Sequence, residues 1–350
     1  MAKYPKVNYI GNKEKLVNWI IEEMPVKSGT ILDIFAGGCS VSYALKNSGY
    51  SVIANDILYA DYVIAKALVE NSDTKLSVNV FDKKVSEQRV EELAEKFWFL
   101  TDCLYYPEEV LELSKLVAIA EKLKGSEKYM MLALIRRAMI RKLPYSRMNV
   151  PWEQIQKLRD EDYSYKKYKR KRAYHNQTFE SHMRENIEAY NEAVFDKEEC
   201  KVYNCDAFDM VKKIDFVDAV YMDPPYPSTM NNYDAFYGMF DEMFDKKRKH
   251  TDYTQKKSFL DNMDKLIKKL VGKTRYIVLS QNTRVQPEPD EIEAMLKKYG
   301  KVTIKEKKHN YQVTGKENKN CYLSLRWRHR WGQKIQRKQK KSNNMIHIGN

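Results

Sequence analysis

Short apolar runs, each followed by polar residues, recur along the chain and predict its first structural elements. Residues 30–35 (Thr-Ile-Leu-Asp-Ile-Phe) predict a buried strand, and Tyr50–Ala54 predicts a second strand that leads into Asn55-Asp56. Between them, Val41–Asn47 predicts a helix that ends near Gly49. A strand, a helix and a strand at this spacing form the opening βαβ unit of a doubly wound sheet.

Strand-like runs of the same kind return only after residue 200. Three of them, Lys201–Tyr203, Asp218–Met222 and Arg275–Ser280, lead directly into polar residues. The stretch Val302–Leu325 predicts two further strands around Gly315. In open α/β sheets, ligands bind beyond the carboxyl ends of the strands, so polar residues there indicate a site. We therefore expect an α/β fold with a doubly wound, Rossmann-like sheet and a C-terminal β-hairpin.

A long interruption separates the second predicted strand from the third. Residues 61–199 are mostly helical in pattern, and a connection of this length predicts a separate inserted lobe. The main domain is then expected to comprise residues 1–60 and 200–325. The last segment, 326–350, carries eight Lys and Arg and no acidic residue, and it predicts a disordered basic tail.

The charge balance narrows the class of partner. The chain of 350 residues has a formal net charge of +14, from 62 Lys and Arg against 48 Asp and Glu. A strongly basic protein usually binds a polyanion such as nucleic acid, although the same charge can serve solubility alone.

Several other kinds of site are not expected. The five cysteines and six histidines have no zinc-binding or disulfide spacing, so no metal site is predicted. The first residues form no apolar signal segment, and no run of 18 apolar residues occurs. We therefore expect no membrane association and a cytoplasmic location.

The strongest chemical signal is Asp223-Pro224-Pro225-Tyr226, which directly follows a predicted strand. The exocyclic amino group of a base is a poor nucleophile because its lone pair is delocalised into the ring. Acceptors placed on its two hydrogens favour the more tetrahedral geometry that attack on a methyl sulfonium requires. Asp223 offers a carboxylate, Pro224 a main-chain carbonyl, and Tyr226 a flat face for base stacking. The prolines fix the chain direction. The alternative is an ordinary turn that ends a strand.

A turn of small residues, 36–40, lies between the first strand and the first helix. Its glycines would let a ligand approach the backbone, but it lacks the G-x-G-x-x-G spacing of a dinucleotide site. Asp56, after the second strand, is placed either to accept hydrogen bonds from ribose hydroxyls or to cap a helix. Asp206, after the third strand, could accept from an adenine amino group or serve a structural role.

Two groups of basic residues lie in the inserted lobe. The run 163–175 holds six Lys and Arg, four Tyr and no acid, so it could neutralise phosphates and stack on bases, or form a solvated loop. The other group lies on a predicted helix, only one face of which could reach DNA. The residues expected to contact nucleic acid are Arg136, Arg137, Lys166, Lys167, Lys169, Arg170, Lys171 and Arg172.

These motifs resemble, in content and order, those of the Dam-type or alpha-group adenine-N6 DNA methyltransferases. The matching stretches are Tyr9–Lys13, Asp33–Gly37, Asn55-Asp56, Asn204–Phe208 and Asp223–Tyr226. The resemblance covers about residues 1–60 and 200–325. It implies a methyltransferase sheet, S-adenosylmethionine as cofactor, and double-stranded DNA as substrate, with the target adenine extruded from the duplex.

The resemblance also assigns roles to individual residues. The cofactor residues are Tyr9, Lys13, Asp33, Phe35, Ala36, Gly37, Asp56, Asp206 and Asp223. The catalytic residues are Asp223, Pro224, Pro225 and Tyr226. Within these sets, Asp56 is expected to hold the ribose and Asp206 the cofactor adenine, while the inserted lobe reads the target sequence. The expected assembly is a monomer, with any cognate restriction endonuclease acting separately.

Two positions depart from the family pattern. The family usually has a glycine where this chain has Cys39, which leaves Gly38 to form the tight turn. Ala207 separates Asp206 from Phe208.

Three other functions stay open: an RNA adenine methyltransferase, a cytosine-N4 DNA methyltransferase and a non-catalytic DNA-binding protein. The large insert and the Tyr9–Lys13 motif favour DNA over RNA. The leading acid of the catalytic motif favours adenine over cytosine, and intact Asp223 and Tyr226 favour catalysis.

Overall fold

A seven-stranded sheet forms the centre of the protein. The computed structural model describes residues 2–169, 173–197, 199–227, 232–282, 286–310 and 317–327. The strands are β1 (Thr30–Asp33), β2 (Ser51–Asp56), β3 (Lys201–Asn204), β4 (Val217–Met222), β5 (Thr274–Asn282), β6 (Gly300–Asn310) and β7 (Glu317–Trp327). Their order in the sheet is β3-β2-β1-β4-β5-β7-β6.

The first five strands of this order are parallel, and β7 runs antiparallel to both β5 and β6. Helices cover both faces of the parallel part, so its central strands are apolar on both faces. Ile31 and Leu32 of β1 are both fully buried, on opposite sides of the sheet. The predicted doubly wound sheet with a C-terminal hairpin is therefore confirmed.

The connectivity places a crevice at the carboxyl end of β1. The chain leaves β1 for β2 and β3 on one side, and it later returns to β4 on the other side of β1. Ligands of open α/β sheets bind where the strand order reverses in this way. The segments that follow β1 and β4 are the glycine turn and Asp223–Tyr226, so both motifs meet at this crevice.

The described residues also form α-helices of 6 to 17 residues. They are α1 (Val17–Glu22), α2 (Ser40–Asn47), α3 (Tyr59–Ala65), α4 (Glu87–Lys96), α5 (Pro107–Glu121), α6 (Gly125–Arg141), α7 (Trp152–Arg159), α8 (Glu161–Tyr168), α9 (Phe179–Glu192), α10 (Ala207–Lys213), α11 (Tyr233–Met243), α12 (Lys256–Leu270) and α13 (Pro289–Lys297). Helices α3–α9 all lie between β2 and β3 in the chain, and all but the first two residues of α3 fall within the stretch 61–199 that is predicted to form the insert.

Several predicted boundaries differ from the structure, and two of these differences concern the site and the tail. The first strand ends at Asp33 rather than residue 35, because the chain turns there into the glycine-rich segment. β7 continues to Trp327, so the first two residues of the predicted tail belong to a strand paired with β5 and β6. The rest of that tail, 328–350, lies outside the described residues.

Two kinds of feature are missing from the described residues. Among them, no helix is both long and apolar enough to cross a bilayer. In the same part of the chain, no cluster of three His, Cys, Asp or Glu side chains is arranged to hold a metal ion.

Candidate active site

The predicted cofactor and catalytic acids come together at the carboxyl edge of the sheet. Asp33 ends β1, Asp56 ends β2, Asp206 follows β3, and Asp223 follows β4. Because the four strands are parallel neighbours, residues far apart in sequence line one edge. Asn55 ties this edge together, since its side-chain nitrogen donates to Ile34 O at 3.2 Å and to Cys205 O at 3.0 Å.

The turn after β1 is held by Asp56. The amide of Gly37 donates to Asp56 Oδ2 at 2.8 Å, and the amide of Leu58 donates to Asp56 Oδ1 at 3.0 Å. Burial raises the pKa of Asp56 above its ordinary value, and these two backbone donors oppose that rise. Asp56 is only partly buried, so it stays available to a ligand in the crevice while it fixes the turn.

Cys39, and not Gly38, takes the left-handed conformation in this turn. Its φ is +64°, and Gly37 before it also has a positive φ of +49°. Gly38 instead provides space: a side chain there would bring its Cβ to 2.8 Å from Cβ of Tyr9. The prediction that Gly38 forms the tight turn in place of the usual glycine is therefore wrong. A buried cysteine accepts a conformation that L-residues rarely adopt.

Asp33 is the most deeply buried acid of the edge, with 1% of its surface exposed. Ser42 Oγ donates to Asp33 Oδ2 at 2.6 Å, whereas Oδ1 has no hydrogen-bond partner among the described residues. Burial is the largest cause of a rise in the pKa of Asp33, the neighbouring Asp223 and Asp56 add to that rise while Ser42 opposes it, and the resulting pKa is about 7. A buried carboxylate oxygen without a donor marks a place for a cationic or hydrogen-bonding ligand.

Asp206 has both oxygens engaged by backbone amides. Oδ1 caps α10 by accepting from Phe208 N at 2.8 Å, and Oδ2 accepts from Thr251 N at 2.7 Å. The structural role that the sequence left open for Asp206 is thus present, in the form of a helix cap. Phe35, half-buried at the same edge, lies edge-on to Tyr253 with ring centroids 5.1 Å apart.

The motif Asp223–Tyr226 leaves its acid partly buried and its tyrosine almost fully buried. Lys13 Nζ donates to Asp223 Oδ2 and forms an ion pair with it. The Tyr226 hydroxyl donates to Ser280 O at 2.6 Å, and its ring lies 5.2 Å from Phe259 at a tilt. Only 5% of Tyr226 is exposed, so its ring presents little of its face in this state.

The N-terminal segment reaches the crevice from outside the sheet. Tyr9 stacks on Tyr233 and Tyr237 of α11, with ring centroids 5.7 and 5.0 Å away. Ile10 N donates to the Tyr237 hydroxyl at 2.8 Å. The Tyr9 ring lies against Gly37 and Gly38, so the segment covers the glycine turn before Lys13 pairs with the catalytic acid.

Arg136 and Arg137 hold this segment and are not placed to contact DNA. Arg136 Nη1 donates to Val7 O at 2.6 Å, and Arg137 Nε donates to Lys6 O at 2.6 Å. Their exposed fractions are 1% and 6%. The prediction that these two arginines bind nucleic acid is therefore wrong, because a buried guanidinium that is bonded to backbone carbonyls cannot reach a phosphate.

The other predicted nucleic-acid residues divide into two sets. Lys166, Lys167 and Lys169 are exposed at the end of α8, and Lys167 Nζ donates to the Tyr163 hydroxyl at 3.0 Å. Arg170, Lys171 and Arg172 lie outside the described residues.

Sequence reasoning missed two features of the edge. One is Asn55, which was noted only as a neighbour of Asp56 and which joins the ends of β1 and β3. The other is the segment that donates Thr251 N to Asp206, which opens with the run Lys246-Lys247-Arg248-Lys249-His250. That run was detectable as five consecutive basic residues.

Comparison with known proteins identifies the family to which this site belongs. A sequence model of the D12 class N6 adenine-specific DNA methyltransferases matches residues 9–313. The chain belongs to this family. The resemblance to Dam-type enzymes is thereby confirmed, and the family is one of adenine-specific DNA enzymes rather than of RNA or cytosine-N4 methyltransferases.

Individual relatives agree with the family. The type II methyltransferase M2.HphI of Haemophilus parahaemolyticus is 46% identical over 329 residues, which cover 92% of this chain and 97% of the relative. The type II methyltransferase M.NlaIII of Neisseria lactamica is 37% identical over 76 residues, or 20% of this chain and 23% of the relative. M.CviAII of Paramecium bursaria Chlorella virus 1 is 34% identical over 67 residues, or 18% of this chain and 21% of the relative.

Proposed function

We propose that this methyltransferase transfers the methyl group of S-adenosylmethionine to the N6 amino group of an adenine extruded from duplex DNA. The observation that carries the proposal is the position of Asp223. It follows β4 at the point where the strand order reverses, next to the glycine turn and the buried Asp33. A hydrogen-bond acceptor for the amino group and a pocket for the methyl donor are therefore adjacent.

The acids of the edge suit the chemistry of the cofactor. S-adenosylmethionine carries an ammonium group, a sulfonium, ribose hydroxyls and an adenine amino group, all of which are cations or donors. The site offers the unpartnered Oδ1 of Asp33 and the partly buried carboxylates of Asp56 and Asp206. We assign the ammonium end to Asp33, the ribose to Asp56 and the adenine to Asp206. When bound, the cofactor would supply an electrophilic methyl group, its sulfur would leave as a neutral thioether, and the methylated amino group would lose one proton to solvent.

The chain's own groups would raise the reactivity of the base. A carboxylate at Asp223 accepts a hydrogen bond from the amino group, and this bond strengthens as positive charge develops on nitrogen. We propose that the Pro224 carbonyl accepts the second hydrogen of the amino group. Lys13 now occupies one oxygen of Asp223, so we propose that the arriving base displaces or shares this contact.

DNA binding is assigned mainly to the insert. We propose that residues 1–60 and 200–325 form the catalytic domain and that 61–199 read the target sequence, with Lys166, Lys167 and Lys169 on phosphates. Arg170, Lys171, Arg172 and the tail 328–350 are proposed to add to the same positive surface. The protein would act as a monomer in the cytoplasm, and by analogy with its type II relatives it would protect DNA from a separate restriction endonuclease.

The decisive test is Asp223→Asn in single-turnover methyl transfer. The substrate is genomic DNA from a strain that lacks adenine methylation, and the products are separated as nucleosides. The amide keeps the shape but removes the charge, so we expect the rate to fall by about 10²–10³ while cofactor and DNA still bind. Asp261→Asn, an exposed carboxylate on α12, is the matched control.

Two results would contradict the proposal. One is a rate in Asp223→Asn close to that of the unchanged protein. The other is transfer of the methyl group to cytosine, or to RNA in preference to duplex DNA.

A further inference from the structure

A strongly basic loop crosses the cofactor edge of the sheet. This basic loop, residues 246–255, joins α11 to α12. Its first five residues are all exposed: Lys246, Lys247, Arg248, Lys249 and His250. Neither the family motifs nor the insert accounts for it.

The inner end of the basic loop is fixed on residues assigned to the cofactor. Thr251 N donates to Asp206 Oδ2 at 2.7 Å, and the buried Tyr253 ring lies edge-on to Phe35 at 5.1 Å. A small, open hollow lies between the loop and the residues that follow Asp56, and it is lined by Ile57 from one side and by Arg248 from the other. The loop therefore covers the edge between β2 and β3 without filling it.

The outer end of the basic loop carries charge that the protein does not neutralise. His250 Nε2 lies 3.3 Å from Asp234 Oδ2, and Lys247 Nζ lies 4.0 Å from Glu242 Oε2. Lys246, Arg248 and Lys249 form no ion pair with any described residue. Adjacent like charges repel each other, and a polyanion relieves that repulsion.

The position of the basic loop indicates that the polyanion it meets is the DNA substrate. Asp206 and Asp223 end parallel strands of one sheet, so the loop lies on the same edge as the catalytic acid. His250 also contacts Asp234 in the first turn of α11, the helix that follows the catalytic motif. A duplex that presents its adenine to Asp223 would bring its backbone along this edge.

We propose that the basic loop binds DNA phosphates and couples DNA binding to cofactor binding. This rests on the proposed function. Arg248 and Lys249 contact the backbone, while Thr251 and Tyr253 hold the inner end on Asp206 and Phe35. A phosphate contact that orders the outer end stabilises the inner end over the cofactor, so duplex DNA tightens cofactor binding. By linkage, the cofactor tightens DNA binding by the same factor.

The test is the double substitution Arg248→Gln with Lys249→Gln. Both side chains are exposed, so the fold should be preserved. The matched control is Lys268→Gln with Lys269→Gln, two adjacent exposed lysines at the end of α12, next to the amino end of β5. Duplex binding is measured by anisotropy over a range of salt, and cofactor binding by calorimetry with and without duplex.

We expect two changes in the loop variant and neither in the control. The log-log salt slope should decrease by about 1.8, or about 0.9 for each lost phosphate contact. The factor by which duplex DNA tightens cofactor binding should decrease several-fold, while cofactor affinity without DNA stays unchanged.

The outcomes separate the two proposals. If the unchanged protein binds the cofactor and methylates DNA, but the loop variant keeps its salt slope and its coupling factor, the loop is a solvated surface and this inference is wrong. If only the salt slope decreases, phosphate contact stands and the coupling is refuted. If the unchanged protein binds neither ligand, the proposed function itself fails.

Discussion

Protonation of Asp33 should make cofactor binding weaker in mild acid. The carboxyl group is 1% exposed, and burial raises its pKa to about 7 from an ordinary value of 3.8. Below that pKa the folded, cofactor-free protein holds Asp33 mostly as the neutral acid. A cationic ammonium on Oδ1 would instead require the ionised form. Binding in acid therefore includes the loss of a proton from Asp33.

The size of the change in cofactor affinity follows from the pKa of Asp33. Each pH unit below about 7 adds about 1.4 kcal/mol for ionising the group, which is a factor of ten in affinity. Going from about pH 7.5 to about pH 6 should then raise the Kd by roughly fivefold, because the ionisation of Asp33 alone would give about eightfold and the cofactor's own α-amino group, with a pKa of about 7.7–8.0, is already partly deprotonated at about pH 7.5. The free energy of unfolding of the cofactor-free protein should change in the opposite sense and should be larger at the lower pH. Neutral Asp33 favours the folded state, and this contribution is lost as the pH rises through 7.

Calorimetry of cofactor binding, in two buffers of different ionisation enthalpy, tests both the predicted change in affinity and the predicted release of a proton. At about pH 6 it should show release of most of one proton on binding, and at about pH 7.5 of much less. Asp33→Asn should remove the pH dependence, whereas Asp261→Asn should keep it. Asp241, whose pKa burial also raises to about 7, holds Tyr59 N and Ala60 N and stays unchanged in both variants. An affinity that is flat between these pH values, or equally steep in Asp33→Asn, would refute the reasoning.

Two substitutions of tyrosine by phenylalanine test hydrogen bonds that hold the site in place. Tyr226→Phe removes the donor to Ser280 O and should lower the free energy of unfolding by about 1 kcal/mol. Methyl transfer should slow less in Tyr226→Phe than in Tyr226→Ala, because phenylalanine keeps a ring that can stack on a base. An unchanged free energy of unfolding in urea would show that the hydrogen bond to Ser280 O contributes nothing. Tyr237→Phe removes the acceptor of Ile10 N and leaves that amide without its partner. We expect cofactor affinity to fall by about 1 kcal/mol, or fivefold in Kd, and an unchanged Kd in calorimetry would contradict the role of the N-terminal segment.

Local signals in the sequence were enough to locate the sheet edge. β1, β2 and β4 are short apolar runs that end in acids, and their order along the chain is that of a doubly wound sheet. Because ligands bind at the carboxyl ends of such strands, Asp33, Asp56 and Asp223 could be placed in one crevice without coordinates. The exact ends of the strands depend on the hydrogen-bond ladders, so they were less predictable.

The predictions that were wrong concern side chains whose role is determined by backbone groups far away in the chain. Arg136 and Arg137 were interpreted as DNA contacts because a charge usually marks an exposed position. In the structure every residue from Met130 to Ile140 on α6 is buried. The partners of the two arginines are backbone carbonyls about 130 positions away, which carry no signal in the sequence. Similarly, the space beside Gly38 is occupied by Tyr9, a contact across 29 positions that carries no signal in the sequence.

These buried arginines link the insert to the catalytic acid. Arg136 sits 4.6 Å from the face of Tyr237 and bonds to Val7 O, so it holds the N-terminal segment against α11 from the insert side. The same segment lays Tyr9 on the glycine turn and ends at Lys13, which pairs with Asp223. A buried cation that loses its partners is strongly unfavourable, so the segment cannot leave Arg136 without a large loss of stability. We therefore expect a shift of α6 on binding DNA to be carried by this segment to both the glycine turn and the carboxylate of Asp223.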